Sequence, residues 1–223
     1  MTRVYVVVEG ATEEAFVNNE LAAAFWRLDV QLIAVIIGSP GHKGGNPSYV
    51  RVKRDVRDLL RQESNTYCST MLDYYGLRAD FPGMPLPGGI GSLDKVERIE
   101  RAMRDNICAE LPEVRAEVRF LPYIQLHEYE GLLFSDPEAL ARALNLPTKA
   151  DRFKHVRNEC GSPEDINDGP STAPSKRIMR LCPSYRKVVD GTLAAKAVGV
   201  ESMRRECPHF REWLERIEQV RPL

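Results

Sequence analysis

Three of the apolar runs that read as strands in this sequence end in a carboxylate. Glu9 follows Val4–Val8 (VYVVV), Asp73 comes at the end of the run that begins at Tyr67, and Glu128 follows Val118–Leu126 (VRFLPYIQL). Glu13 and Glu130 stand one turn or less further on. If these strands are parallel, acids distant in sequence arrive at one sheet edge. Carboxylates gathered there repel one another and raise each other's pKa. A hard divalent cation relieves that repulsion, because Mg²⁺ and Mn²⁺ take oxygen ligands from a few carboxylates, water and phosphate. Such a centre can activate water and stabilise the leaving oxygen of a phosphodiester. The plainer reading is that acids decorate helix N-termini, where the helix dipole favours them. It fits Glu13 and Glu14 better than Glu9 and Asp73, which directly end apolar strands.

Other polar groups are weaker signals. His127, beside Glu128, suits a ligand, a base or a packed histidine; His155 and His209 have no visible partner. Ser175-Lys176-Arg177 offers a cation for the charge on a scissile phosphate, or simply a basic first turn. His42-Lys43-Gly44-Gly45 follows the second strand, so its loop should reach the same edge. It lacks the GK[ST] of a phosphate-binding loop and is no evidence for ATP.

The elements that must position these groups follow from periodicity. Val4–Val8 is too short for a helix and rich in β-branched residues, which predicts a strand buried on both faces. Thr12 can cap a helix carrying Val17, Leu21, Ala24, Phe25 and Leu28 at helical spacing. Val30–Ile37 predicts a second strand, Gly38–Ser48 a loop, and Tyr49, Val52, Val56, Leu59 and Leu60 a second helix. Tyr67–Tyr74 predicts a third strand. Residues 76–92 hold five Gly and three Pro, which predicts a long irregular loop. A third helix capped by Ser92 carries Val96, Ile99, Met103 and Ile107, and Val118–Leu126 predicts a fourth strand despite Pro122. This β-α alternation predicts an α/β domain over 1–148, with a parallel sheet of about four strands flanked by helices. Residues 149–223 show no convincing strand. They predict a mainly helical C-terminal extension, with helices over Ser175–Leu181 and Pro208–Val220.

Composition bounds the function. The chain has 223 residues, with 31 Lys/Arg against 32 Asp/Glu, a net charge of −1, so an all-over electrostatic clamp on nucleic acid is disfavoured. The balance is uneven: residues 1–148 carry a net −5 and residues 149–223 a net +4. The five cysteines are widely spaced and form no CxxC pair, so neither a disulfide framework nor a zinc knuckle is indicated. The opening Met1-Thr2-Arg3-Val4 lacks the basic region and long apolar stretch expected of a signal peptide, and no apolar run approaches the roughly 18 residues of a membrane span. The expectation is a reduced, cytoplasmic protein.

Val8-Glu9-Gly10-Ala11-Thr12-Glu13 resembles the "VEGxTE" opening of the Toprim-like nucleases of the OLD (overcoming lysogenization defect) type. The whole chain resembles an uncharacterised bacterial family of short, stand-alone Toprim-like proteins, a domain of unknown function. The segments carrying this are VEGATEE, STMLDYYGL with DFPG, PYIQLHEYEGLLFSD, EDINDGPSTAPSKRI and CPHFREWL, across residues 4–214. The resemblance implies a Toprim-like Rossmannoid sheet. It implies Glu9 as metal ligand or general acid/base and Glu13 as a second acid. It also implies Asp73 as the first residue of an Asp-x-Asp pair. Here that run is Asp73-Tyr74-Tyr75, so the second Asp is missing, and Glu128 or Glu130 is the substitute ligand expected. Catalytic roles are expected of Glu9, Asp73 and Lys176.

Two main functional readings follow. One is a Mg²⁺- or Mn²⁺-dependent nuclease acting on DNA or RNA, a phage-defence effector working with a separate ABC-type ATPase, since this chain has no Walker motif. The other is a non-catalytic Toprim-fold interaction subunit whose metal site is degraded. A receiver-like signalling domain is disfavoured: it requires an acidic pair after the first strand and a Lys after a fifth.

Overall fold

The computed structural model describes residues 1–38, 44, 48–166, 169 and 172–223. Its architecture is α/β, with a five-stranded parallel sheet flanked by helices. The chain groups into two compact units: Met1–Gln125 with Glu215–Leu223, and Leu126–Leu214. The division at 148/149, expected where the β-α alternation ends, therefore runs through the second unit.

The first unit holds the whole sheet. Strand β1 (Thr2–Val8) leads into helix α1 (Ala11–Phe16), which continues through a π-helical turn at Val17–Leu21 into α2 (Ala22–Trp26). Strand β2 (Val30–Ile36) is followed by α3 (Tyr49–Gln62), β3 (Thr66–Asp73) and α4 (Ser92–Glu110). Strand β1 pairs in parallel with β2 on one side and β3 on the other, giving the order β2-β1-β3-β4. Val4, Val6, Val7 and Val8 are fully buried, as are Cys68, Met71 and Leu72 of β3. This explains the unbroken apolar runs: a central parallel strand is covered on both faces and does not alternate. Tyr49 Oη of α3 donates to Asn106 Oδ1 of α4 (2.8 Å) and Lys53 pairs with Glu110 (2.7 Å), so α3 and α4 are neighbours.

The fourth strand is much shorter than expected. Val118 and Arg119 belong to a helical turn, α5 (Ala116–Arg119), and strand pairing survives only at β4 (Phe120–Leu121) and β5 (Ile124–Gln125). Two causes are visible. Pro122 has no N–H for the ladder, and side chains of β3 replace it: Thr70 Oγ1 accepts from Tyr123 N–H and donates to Tyr123 O (both 2.9 Å), while Ser69 Oγ donates to Leu121 O. Arg119, only 3% exposed, donates to the carbonyls of Thr66 (2.7 Å), Val114 (2.9 Å) and Glu63, which holds residue 119 outside the strand.

The C-terminal residues of this unit fasten to its sheet and to α4. Tyr67 Oη donates to Arg221 O (2.9 Å), Leu223 N–H donates to Asn65 Oδ1 (2.9 Å), and Arg216 lies 3.7 Å from Glu100.

The second unit is helical among its described residues. A 3₁₀ segment at Tyr129–Ser135 precedes α6 (Pro137–Ala143), α7 (Ala150–Asn158), α8 (Pro174–Leu181), α9 (Lys187–Val198) and α10 (Val200–Glu206). Helix α11 (Pro208–Glu218) follows, its last residues counting with the first unit. Phe210, Trp213 and Leu214 are buried, so this aromatic stripe is core. Among the described residues, no helix is long and apolar enough to cross a membrane.

Candidate functional site

Strand order decides where a site can form. From β1 the chain steps to β2 on one side, then crosses back to β3 on the other. In open parallel sheets, ligands bind outside the carboxyl ends of the strands at such a reversal point. Here that point lies between β1 and β3. Their last register pair is Val8 with Met71. Glu9 is the next residue on one strand, and Asp73 ends the other, pairing with Gln125 of β5.

Small residues around Glu9 give its side chain and backbone room. A Cβ on Gly76 would stand 2.5 Å from Glu9 Oε2 and 3.1 Å from both Oε1 and Cδ. The Glu9 carboxylate thus lies flat against the turn that follows Asp73, and its Oε2 is buried. A Cβ on Gly44 would stand 3.2 Å from Glu9 O, and Gly44 N–H donates to Ile37 O (2.9 Å). Gly44 also has φ +83°, a left-handed conformation that suits glycine. Gly10 precedes α1, and a Cβ there would stand 3.4 Å from Glu13 Oε2. Glu13 is buried at 8% exposure in the first turn of α1. Of the His42-Lys43-Gly44-Gly45 loop expected at this edge, His42, Lys43 and Gly45 lie outside the described residues.

Asp73 is half-buried and precedes a 3₁₀ turn, Tyr74–Gly76. Tyr74 and Tyr75 lie where the second acid of an Asp-x-Asp run and its spacer would stand. Their rings are 6.1 Å apart at 38°, and Tyr75 is 41% exposed. Desolvation pushes the Tyr74 hydroxyl pKa up, so it stays a neutral phenol at physiological pH.

Glu9, Glu13 and Asp73 therefore belong to the first unit. A divalent cation can be tested against this donor set. Its carboxylate oxygens are the hard donors that Mg²⁺ and Mn²⁺ prefer. Among the described residues, however, no group of three or more His, Cys, Asp or Glu side chains is arranged to hold a metal ion. The residues fit Mg²⁺ held by one or two carboxylates with water and substrate phosphate, the usual protein mode, and not an all-protein cage.

Glu128, Glu130 and Lys176 belong to the second unit. Glu128 Oε2 accepts from Ser175 N–H (3.0 Å) at the start of α8. Glu130 is 1% exposed, and Lys187 Nζ lies 3.2 Å from its Oε1 and 3.9 Å from Glu128 Oε1. Burial pushes the Glu130 carboxyl up to about 7; Lys187 opposes the shift and Glu128 adds to it. Tyr185 Oη is buried beside these acids without a hydrogen-bond partner among the described residues, and burial followed by Glu130 raises its pKa. The two acids named as substitute ligands are thus engaged by a lysine and a backbone amide of their own unit. Lys176 is exposed, and the cation that reaches the acids is Lys187.

Sequence reasoning missed several contributors. Lys187 and Tyr185 carry no motif. Glu164 reads as one acid of a polar loop, yet its two carboxylate oxygens accept the N–H groups of His209 (3.0 Å) and Phe210 (2.9 Å) at the start of α11. The capping-box pattern Ser162-x-x-Asp165 was a legible sign of the helical turn at Pro163–Asp165. Asn167, Asp168, Pro170 and Ser171 of the same segment lie outside the described residues. His155 does have a partner, Glu159 at 3.2 Å one turn on. His127 is buried in a left-handed conformation (φ 61°).

Neither the curated proteins nor the solved structures give a match to this chain. The family is nonetheless clear, because one family model covers nearly the full length. The chain belongs to the family described as Domain of unknown function (DUF4276), whose model matches residues 8–218.

Proposed function

We propose that the protein is a Toprim-like, Mg²⁺- or Mn²⁺-dependent nuclease that hydrolyses phosphodiester bonds of DNA or RNA. The observation that carries this reading is the pair Glu9 and Asp73 at the carboxyl ends of two adjacent parallel strands, at the point where strand order reverses. The VEGxTE-like opening and the buried Glu13 support it. Glu9 and Asp73 would hold the cation, with Glu13 behind Glu9. The bound cation would polarise the phosphate and lower the pKa of an attacking water. Glu9 is the residue proposed to take that water's proton, and the short distance from Gly76 to its carboxylate supports this by leaving it room. Lys176, exposed on α8, remains the residue proposed for phosphate charge. The cellular role proposed is phage defence. An ABC-type ATPase would act in trans, because the chain lacks a GK[ST] phosphate-binding loop.

Calorimetry with Mn²⁺ on the wild type and on Glu9→Ala tests the reading, together with cleavage assays on DNA and RNA. Binding lost in the variant and cleavage by the wild type alone are expected. A wild type that neither binds Mn²⁺ nor cleaves either polymer would remove it.

One observation favours a second reading, a non-catalytic interaction subunit. The position of the second Asp is Tyr75, and the acids after the fourth strand are engaged by Lys187 and Ser175. That negative calorimetric result is the one this reading expects.

A further inference from the structure

Helices α7 and α8 of the second unit enclose a groove of about 450 Å³. Its lining is almost wholly carbon, from Val156, Leu181 and the stems of the arginines around it. Basic side chains stand along both walls: Arg152 and His155 on α7, Arg177 and Arg180 on α8. Each pair is spaced i, i+3, so its members share a helix face about 4.5 Å apart along the axis. Arg177 is held in place, donating Nε–H to Thr172 O (2.9 Å) and Nη1–H to Glu159 Oε2 (2.8 Å). Glu159 also faces His155, so that acid is already shared. Asp151, the acid among the lining residues, has a side chain 95% exposed and lies 3.9 Å from Lys154. Arg152 and Arg180 are exposed at the rim, and Arg152 makes no ion pair among the described residues.

We propose that this groove holds a single strand of nucleic acid, with phosphates on the exposed arginines Arg152 and Arg180 of its two walls and a base against the apolar floor. Planar guanidinium groups both chelate phosphate and stack on bases. A strand fits better than a free nucleotide. Nucleotide phosphates are gathered by converging backbone N–H groups at a helix N-terminus, whereas here the cations are spread along the helices. The amide of Ser175 at the start of α8 is already taken by Glu128. This inference deepens the nuclease reading by naming single-stranded substrate, and rests on it only for the strand being substrate. Binding itself is measured without cleavage.

The test is fluorescence anisotropy of labelled single-stranded DNA and RNA oligomers against the full chain in EDTA, between about 50 and 200 mM salt. The double variant Arg152→Ala/Arg180→Ala should weaken binding about tenfold and flatten the log Kd against log salt slope by about 1.4. Arg152→Lys/Arg180→Lys should restore most of the slope while losing part of the affinity. Circular dichroism melts of both variants should match the wild type, since both side chains are exposed. No oligomer binding by the wild type, unchanged binding in the alanine variant, equal affinity for duplex, or displacement by micromolar ATP would each overturn the proposal. The two readings fail separately. Strand binding without cleavage in Mg²⁺ removes the nuclease and leaves the groove. Cleavage with binding unmoved by the arginine variants removes the groove alone.

Discussion

At the scale of single residues, the candidate site turns on three positions. Glu9 and Asp73 follow apolar strands whose burial does not depend on them, so truncating either should leave the fold intact. Glu9→Ala and Asp73→Ala are expected to abolish cleavage with melting temperatures close to wild type; insoluble variants would instead mark these acids as structural. Gly76 gives a finer test. Its φ lies outside the left-handed range, so alanine is compatible with the backbone, yet the new Cβ would stand 2.5 Å from Glu9 Oε2. The atom that must move is the end of a flexible side chain, so stability should change by less than about 0.5 kcal/mol. Mn²⁺ affinity, read by calorimetry, should fall about ten- to a hundredfold because the carboxylate is displaced. Gly76 carries no signal in the sequence beyond being one glycine among several in a loop. Its role depends on Glu9, 67 positions earlier.

At the scale of elements, carboxylates do different work according to what surrounds them. Glu164 receives two backbone N–H groups at the start of α11, where the helix dipole also favours an anion. Glu164→Ala leaves those donors buried and unmatched, and should cost about 1–3 kcal/mol in urea denaturation. Glu130 behaves differently. Its carboxyl is raised to about 7 in the fold from an ordinary 4.5, chiefly by burial. Between those values the folded protein holds a proton that the unfolded chain releases. This contribution to stability is complete below pH 4.5, declines as pH rises through that window, and is gone above about 7. The loss is on the order of 3 kcal/mol. Glu130→Gln should remove this part of the pH dependence, measured as denaturation midpoints from pH 5 to 8. The fourth strand makes a related point. Pro122 announced a defect, but its repair by Ser69 and Thr70 required a neighbouring strand to be present.

At the scale of the whole chain, sequence order and compactness part company. Residues 149–223 read as one helical extension, but Glu215–Leu223 are grouped with the sheet. Ile217 and Val220 are buried, Arg221 O receives Tyr67 Oη, and Arg216 faces Glu100. Deleting residues 215–223 should therefore destabilise the protein by several kcal/mol, since two buried aliphatic side chains alone contribute about 1.5–3 kcal/mol each. Against a typical total of about 5–15 kcal/mol, that should show as a large drop in the denaturation midpoint or as loss of soluble protein.

The sequence by itself determined the α/β class, the identity of the buried strands, and the placement of Glu9 and Asp73 at strand ends. These follow from local pattern: unbroken β-branched runs, helical periodicity, and an acid where the first and third runs stop. Tertiary structure decided which strands are neighbours, and hence that the strand order reverses between Glu9 and Asp73. It also decided that Gly76 meets Glu9, and that Glu128 and Glu130 are engaged by Ser175 and Lys187. The same holds for the cationic groove, whose walls are helices separated by more than a dozen residues. Such contacts join residues far apart in the chain, and periodicity says which face an element buries but not what meets it.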